Sequence, residues 1–360
     1  MRLIAGLRQA FDAAGYTEVQ TPLLQRRLSG FEKGAGFSTY SAALGERLWL
    51  RAAPELYLKR LVLQAPKGEL DHIYEMALCL RDDLEEGGVP ESFDRPEFTL
   101  LELYAVEEDP ASLEALLRQA ISKAARGLGA SKEAQALQGK WPRAQFGDLL
   151  QGLDKNFDLD GLLRASLPKM RRSAGSAAAM DALAIEARAN DPALRSAAAN
   201  LVYQGGDLAQ YLRAGPQGYW WEFVERVWRT RVAPTLKGPL IVEGFPVEAS
   251  PLVQSDDGIH ALKWELYLNG VRIALGSREL MDAEDLKVRF QMLDRLRRLG
   301  YGQLPEPDEA FLTELEAWPT GRPLIGLGIY VDRLAGSLLG LLKKDGRGQE
   351  RMLPNLYKAY

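Results

Sequence analysis

Cysteine and histidine are scarce in this sequence, and neither sign of charge is in real surplus. Its 360 residues include one cysteine, two histidines, and 45 basic against 49 acidic side chains, a formal net charge of −4. The lone thiol, Cys79, excludes an internal disulfide and fits a reducing compartment. His72 and His260 with one cysteine do not make a usual zinc cluster. The near balance of charge excludes a general positive field for nucleic acid, leaving room for a local basic patch alone. No uninterrupted apolar run reaches the roughly 18 residues that a membrane span needs. The first residues, MRLIAGLRQAFDAAGYTEV, lack the apolar centre of a leader; they predict an amphipathic helix with Leu3, Ile4, Leu7, Phe11 and Ala14 on one side. A cytoplasmic protein without a membrane partner is the expectation.

With 46% hydrophobic residues, the chain has enough apolar surface for one large core. A single domain over 1–360 is expected, with a helical insertion at about 105–232. The first helix stops near Gly15, and EVQTPLL reads as a strand that Pro22 bends or places at an edge. Residues 27–46, with glycines at 30, 34, 36 and 45, read as a mobile loop whose spacing fits neither a Walker loop nor a dinucleotide fingerprint. RLWLRAAPELYLKRLVL follows as a strand, a break at Pro54 and a helix.

Two strands then flank an acidic loop. In IYEMALCLR, period two puts Tyr74, Met76, Leu78 and Leu80 on one face, with Glu75, Ala77, Cys79 and Arg81 on the other, less apolar one. In EFTLLELY, Phe98, Leu100, Glu102 and Tyr104 share a face. A hairpin of the two brings a guanidinium suited to phosphate near a ring suited to stacking on a base, with a carboxylate further along for a cation. By periodicity alone, a structural ion pair between Arg81 and Glu102 is the simpler reading.

Beyond Ala105 the chain is mostly helical, Ala-rich near its middle, and Trp220, Trp221, Phe223, Val224 and Val227 have the spacing of a packing face. Asn269-Gly270 between alternating segments predicts a two-residue hairpin pairing Leu268 with Val271. That register sets Tyr267 opposite Arg272 and Glu265 opposite Ala274, leaving Glu265 and Arg272 diagonal neighbours about 7 Å apart. A helix with Leu286, Phe290, Leu293 and Leu296 on its apolar side follows, then a glycine-punctuated strand, PLIGLGIY, running into a helix at Asp332 and Arg333.

APELYLKRL at Ala53–Leu61, then LRDD and RPEFTLLELY, resemble motif 2 and the segment before it in class II aminoacyl-tRNA synthetases. The nearest likeness is to the lysyl branch and its shortened relative, the ligase that attaches β-lysine to elongation factor P. GLGIYVDRLAG resembles motif 3, and the N-terminal helix and Pro22 strand resemble motif 1, which implies a homodimer. The implied fold is α+β, an antiparallel sheet flanked by helices. The implied chemistry is ATP-dependent activation of lysine or a lysine-like amino acid. Arg81 would then hold the α-phosphate and Arg333 the γ-phosphate; Asp83 and Phe98 would hold adenine. Glu55 would take the α- or β-amino group, Glu102 with Tyr104 would receive the side-chain ammonium, and Glu279 matches a retained glutamate that would contact the substrate.

The chain also departs from the family pattern. Positions 265 and 272 are usually two glutamates that hold magnesium ions on ATP; here they are Glu265 and Arg272, and a guanidinium supplies no oxygen ligand. Arg272 either contacts the triphosphate or pairs with Glu265 and closes the site. Leu275 and Ser277 replace a polar contact and an aromatic wall, and Tyr330 stands where a small residue is usual. Asp83 is shorter than the usual glutamate. The loop Asp82–Arg95 carries six acids against one base, which disfavours tRNA and suits a basic protein acceptor such as elongation factor P. The first residue already lies in the motif 1 helix, so no anticodon-binding domain is expected. Two other readings stay open: a degenerate relative that binds and regulates, and a ligase acting on a small-molecule or carrier acceptor.

Overall fold

The computed structural model describes residues 2–27, 36–81, 96–126, 135–165, 188–189, 191–203, 220–250, 252–298, 308–319, 321–339, 342–344 and 350–352. In chain order the elements begin with α1 (Arg2–Ala13), β1 (Thr17–Glu18), β2 (Leu24–Gln25), β3 (Ser38–Ser41), β4 (Glu46–Leu50) and α2 (Glu55–Gln64). The hairpin strands β5 (His72–Leu80) and β6 (Glu97–Val106) lead to α3 (Pro110–Arg126), β7 (Arg143–Gln145), α4 (Phe146–Gln151) and α5 (Leu159–Ala165). Then come α6 (Pro192–Tyr203), α7 (Trp220–Val227), β8 (Pro239–Glu243), β9 (Lys263–Leu268) and β10 (Val271–Arg278). The chain continues with α8 (Ala283–Arg298), α9 (Glu309–Leu315), β11 (Leu324–Tyr330), α10 (Val331–Leu338), β12 (Leu342–Lys344) and β13 (Glu350–Met352).

Eight strands form one sheet in the order β1-β5-β6-β11-β10-β9-β8-β7, antiparallel except for the edge pairs β1/β5 and β7/β8. This is the α+β architecture expected. Leu101, Leu103, Ile325, Leu327, Ile329, Leu266 and Ile273 point to one face, where α1, α3 and α10 cover them. Gly6 of α1 permits that layer, because a Cβ there would lie 2.7 Å from the Ala124 backbone of α3. Trp220, Trp221, Val224, Phe146, Phe245 and Tyr267 build a second core on the other face, bearing out the packing face read in the tryptophan segment. That second face also carries the candidate site.

Several local expectations are corrected. α1 ends at Ala13 and buries Ala10 rather than Ala14. Gly15 at φ 84° then turns the chain. The Pro22 strand is two short ones, β1 and β2, with Pro22 itself in neither. The glycine-rich 27–46 segment contains β3, which pairs with β4; residues 28–35 lie outside the described residues. Both faces of β5 are covered near its start, where Tyr74 and Glu75 are buried; further along, Ala77 and Cys79 are enclosed whereas Leu78 is exposed. Within 105–232, Ala105 and Val106 complete β6, and β7 adds an edge strand to the sheet. Asn269 and Gly270 both take positive φ, 50° and 87°, and Leu268 pairs with Val271 as predicted. A bulge between Arg272 and Ala274 then sets Glu265 opposite Leu275, not Ala274. Arg272 remains opposite Tyr267.

Candidate active site

Residues paired across antiparallel strands point the same way from the sheet. The register Cys79↔Phe98, Glu75↔Glu102 and Ile73↔Tyr104 continues through Gly328↔Glu102, Gly326↔Tyr104 and Tyr330↔Leu100. It reaches Leu275↔Gly328, Ser277↔Gly326 and Leu275↔Glu265. One face therefore gathers Phe98, Glu102, Tyr104, Tyr330, Ser277 and Glu265 from four strands, β6, β11, β10 and β9. α2 brings Glu55 and Lys59 over it.

Glu75 and Glu102 stand directly opposite each other, an unfavourable like-charge pair unless one is compensated. Arg51 compensates Glu75: its guanidinium lies 2.5 Å from one carboxylate oxygen, while Thr21 donates to the other at 2.7 Å. Glu102 instead accepts a hydrogen bond from the Tyr104 hydroxyl at 2.6 Å. Burial, then the nearby Glu55, push its carboxyl up to about 8.

Lys59 is the cation of this pocket. Its ammonium is 2.5 Å from Glu279 and 2.7 Å from Glu55, and lies 5.5 Å from the centre of the Tyr104 ring. Burial alone would lower the Lys59 pKa, but Glu279 and Glu55 outweigh it and hold the ammonium charged. Ser277 donates to Glu279 at 2.6 Å. Glu279 is nevertheless raised, because burial prevails over Lys59. Three buried or half-buried carboxylates, Glu55, Glu102 and Glu279, thus share one lysine. The pocket is short of positive charge. Gly326 forms its floor, since a Cβ there would lie 2.6 Å from Glu279 Oε1 and 2.9 Å from the Tyr104 ring.

Beside it lies a second cluster. Ala77, Cys79, Leu100 and Tyr330 pack together with Phe98 and Leu275. The Arg81 guanidinium sits 5.0 Å from the centre of the Phe98 ring and donates to the Ala52 carbonyl at 2.9 Å. Arg333 and Arg272 approach the Tyr330 ring at 4.5 and 5.2 Å. The two arginines expected to hold phosphate thus rest on rings of one apolar cluster. Tyr330 points inward. Asp332 anchors the start of α10 by accepting the Thr99 amide at 2.6 Å. Asp83 lies outside the described residues, as does the loop 82–95.

Magnesium does not fit Glu265 as this chain presents it. One oxygen of Glu265 accepts from Arg272 at 2.8 Å and lies 2.9 Å from the Lys263 ammonium; the other accepts from Tyr267 at 2.7 Å. Burial would raise this carboxyl, but Arg272, Lys263 and Tyr267 hold it down to about 2. Both oxygens are committed, and a divalent cation would meet two positive side chains. Glu265, expected as a metal ligand, is here the ion-pair partner of Arg272 and Lys263. Among the described residues, no three acidic, histidine or cysteine side chains gather in a metal-binding group.

Lys59 and Lys263 join the site in addition to the residues expected from the sequence. The signals were present: Lys59 follows Glu55 by four residues on one helix, and Lys263 precedes Glu265 by two on one strand. Trp228, which donates to the Tyr267 hydroxyl at 2.8 Å from a π-helical turn, had no such signal.

Residues 1–343 match the family described as tRNA synthetases class II (D, K and N). The chain belongs to that family. A lysine–tRNA ligase of Mycobacterium bovis (strain BCG / Pasteur 1173P2) is 30% identical over 348 residues, covering 94% of this chain and 61% of the relative. Those of Kineococcus radiotolerans and Xanthomonas oryzae pv. oryzae are each 31% identical, over 346 and 343 residues, with 60% and 59% of the relative covered. This class II synthetase chain thus spans about three fifths of the length of the relatives it matches. The eight-stranded, mainly antiparallel sheet agrees with the family assignment.

Proposed function

We propose that this chain activates lysine or a lysine-like amino acid with ATP and transfers it to a protein amine of the kind found on elongation factor P. The observation that carries the reading is the pocket of Glu55, Glu102, Glu279 and Tyr104, whose carboxylates outnumber its one lysine. A substrate ammonium makes up that charge. Relatives whose names specify lysine ligation to tRNA support the choice of amino acid. The acidic composition of 82–95 supports a basic protein as acceptor in preference to tRNA. The N-terminal helix and Pro22 segment, which resemble motif 1, support a homodimer.

In the first step the substrate carboxylate attacks the α-phosphorus of ATP, and the bond to the bridging oxygen of pyrophosphate breaks. Arg81 takes the negative charge developing on the α-phosphate, and Arg333 that on the departing pyrophosphate. Glu55 orients the amino group, and Phe98 offers a ring against the base. In the second step the acceptor amine attacks the acyl carbon, AMP leaves, and the amine proton passes to solvent.

Pyrophosphate–ATP exchange with each amino acid and with β-lysine tests this. Exchange is expected with a lysine-like substrate and not with norleucine, which lacks the ammonium. The Arg272–Glu265 pair favours one other reading, a binding protein without ligase activity. Calorimetric lysine binding with no exchange, in magnesium or in its absence, is the result that selects it.

A further inference from the structure

Two guanidinium groups stand on the phosphate side of this face, where a cation-binding carboxylate pair is implied by the family likeness. Arg272 gives one N–H to Glu265 at 2.8 Å and another to the Tyr330 hydroxyl at 3.0 Å. Arg333 reaches the Arg272 carbonyl at 3.5 Å, and its guanidinium lies 4.5 Å from the centre of the Tyr330 ring. The Arg272 fork is held at two points, yet its side chain keeps 30% exposure. A guanidinium has five N–H groups, so two such bonds do not exhaust it. Glu265, its counter-ion, is 3% exposed and also faces Lys263. Arg272 and Lys263 thus face a single carboxylate between them.

We infer that Arg272 is a fixed cation for the phosphate chain of the nucleotide, so that this chain binds polyphosphate without a divalent metal. The inference rests on the reading that this face binds ATP. A guanidinium carries a permanent charge and grips phosphate oxygens bidentately, which a hydrated metal ion does through ligands that Glu265 no longer offers. Tyr330 follows from the same arrangement. Its ring spaces Arg272 from Arg333, and its hydroxyl pins one of them, so two like charges are held side by side.

The test is isothermal titration of inorganic pyrophosphate, and of a non-hydrolysable ATP analogue, into the full chain with EDTA and with excess magnesium. The wild-type affinities are expected to agree within about threefold between the two buffers. Arg272→Ala is expected to lose about 10- to 100-fold in EDTA, the loss of a charge-assisted contact. Arg272→Gln keeps a polar head without the charge and carries the same expectation if the alanine variant does not fold. Wild-type binding that requires magnesium overturns the inference and leaves the nucleotide reading standing. Equal affinities of the variants and wild type in EDTA overturn it as well. No binding in either buffer removes the nucleotide reading, and the inference with it.

Discussion

Among the described residues, Glu102 has no side-chain cation bonded to it. Arg51 serves the opposing Glu75, Lys59 serves Glu55 and Glu279, and burial with Glu55 lifts Glu102 to about 8. At neutral pH it holds a proton, and a substrate ammonium must displace that proton to make its ion pair. Glu102→Gln, close in shape to the protonated acid, is therefore expected to fold with unchanged or slightly higher stability. Its lysine affinity is expected to fall by about 100-fold or more, since losing one partner of a buried ion pair costs about 3 to 5 kcal/mol. Calorimetry with lysine, beside a thermal melt, checks both halves; full lysine affinity in the variant removes Glu102 from the pocket. Glu265 is the contrasting case, a buried carboxylate already matched by Arg272 and Lys263 and so held near 2.

β11 reads LIGLGIY, and every residue of it is buried. Its glycines at 326 and 328 lie on the site face, where a side chain would fill the floor of the pocket. At Gly328 an added Cβ meets Leu275 at an ordinary 3.7 Å, but at Gly326 it meets Glu279 at 2.6 Å. Gly326→Ala is thus expected to cost about 1 to 3 kcal/mol through overpacking and to weaken lysine binding, whereas Gly328→Ala is expected to leave both nearly unchanged. Chemical denaturation and lysine titration of the pair distinguish them; equal effects would mean that Glu279 yields freely. The hairpin of β9 and β10 shows what sequence patterning leaves out. Asn269-Gly270 announced the turn, but no letter marks the bulge at Ile273 that shifts Glu265 by one partner. A bulge answers to sheet twist and to the cores on both faces.

The whole molecule responds to pH through these two carboxylates in opposite senses. Between the unfolded value of about 4.3 and the folded value of about 8, native Glu102 keeps a proton that the unfolded chain has lost. Its contribution to stability therefore falls as pH rises across that window. Lysine binding releases this proton, so affinity is expected to rise by up to about tenfold per pH unit and to level off above about 8. The lysine-induced rise in melting temperature should be larger at pH 8 than at pH 6; a smaller one would place the titrating carboxyl elsewhere. Glu265 behaves conversely, its contribution being present above about 4.3 and lost as pH falls toward 2. No helix among the described residues is long and apolar enough to cross a membrane.

Alternation within β6 determined that Phe98, Glu102 and Tyr104 share a face, and Asn269-Gly270 determined the hairpin that sets Arg272 opposite Tyr267. Those are local matters, governed by a period of two and by a turn that requires positive φ. Tertiary structure alone decided which charges are already answered. Arg51 meets Glu75 from 24 residues away, and Lys59 on α2 meets Glu279 beyond the end of β10, so neither of these cations pairs with Glu102. Whether a carboxylate is spent or available depends on what folding buries beside it, and one-dimensional spacing carries little of that.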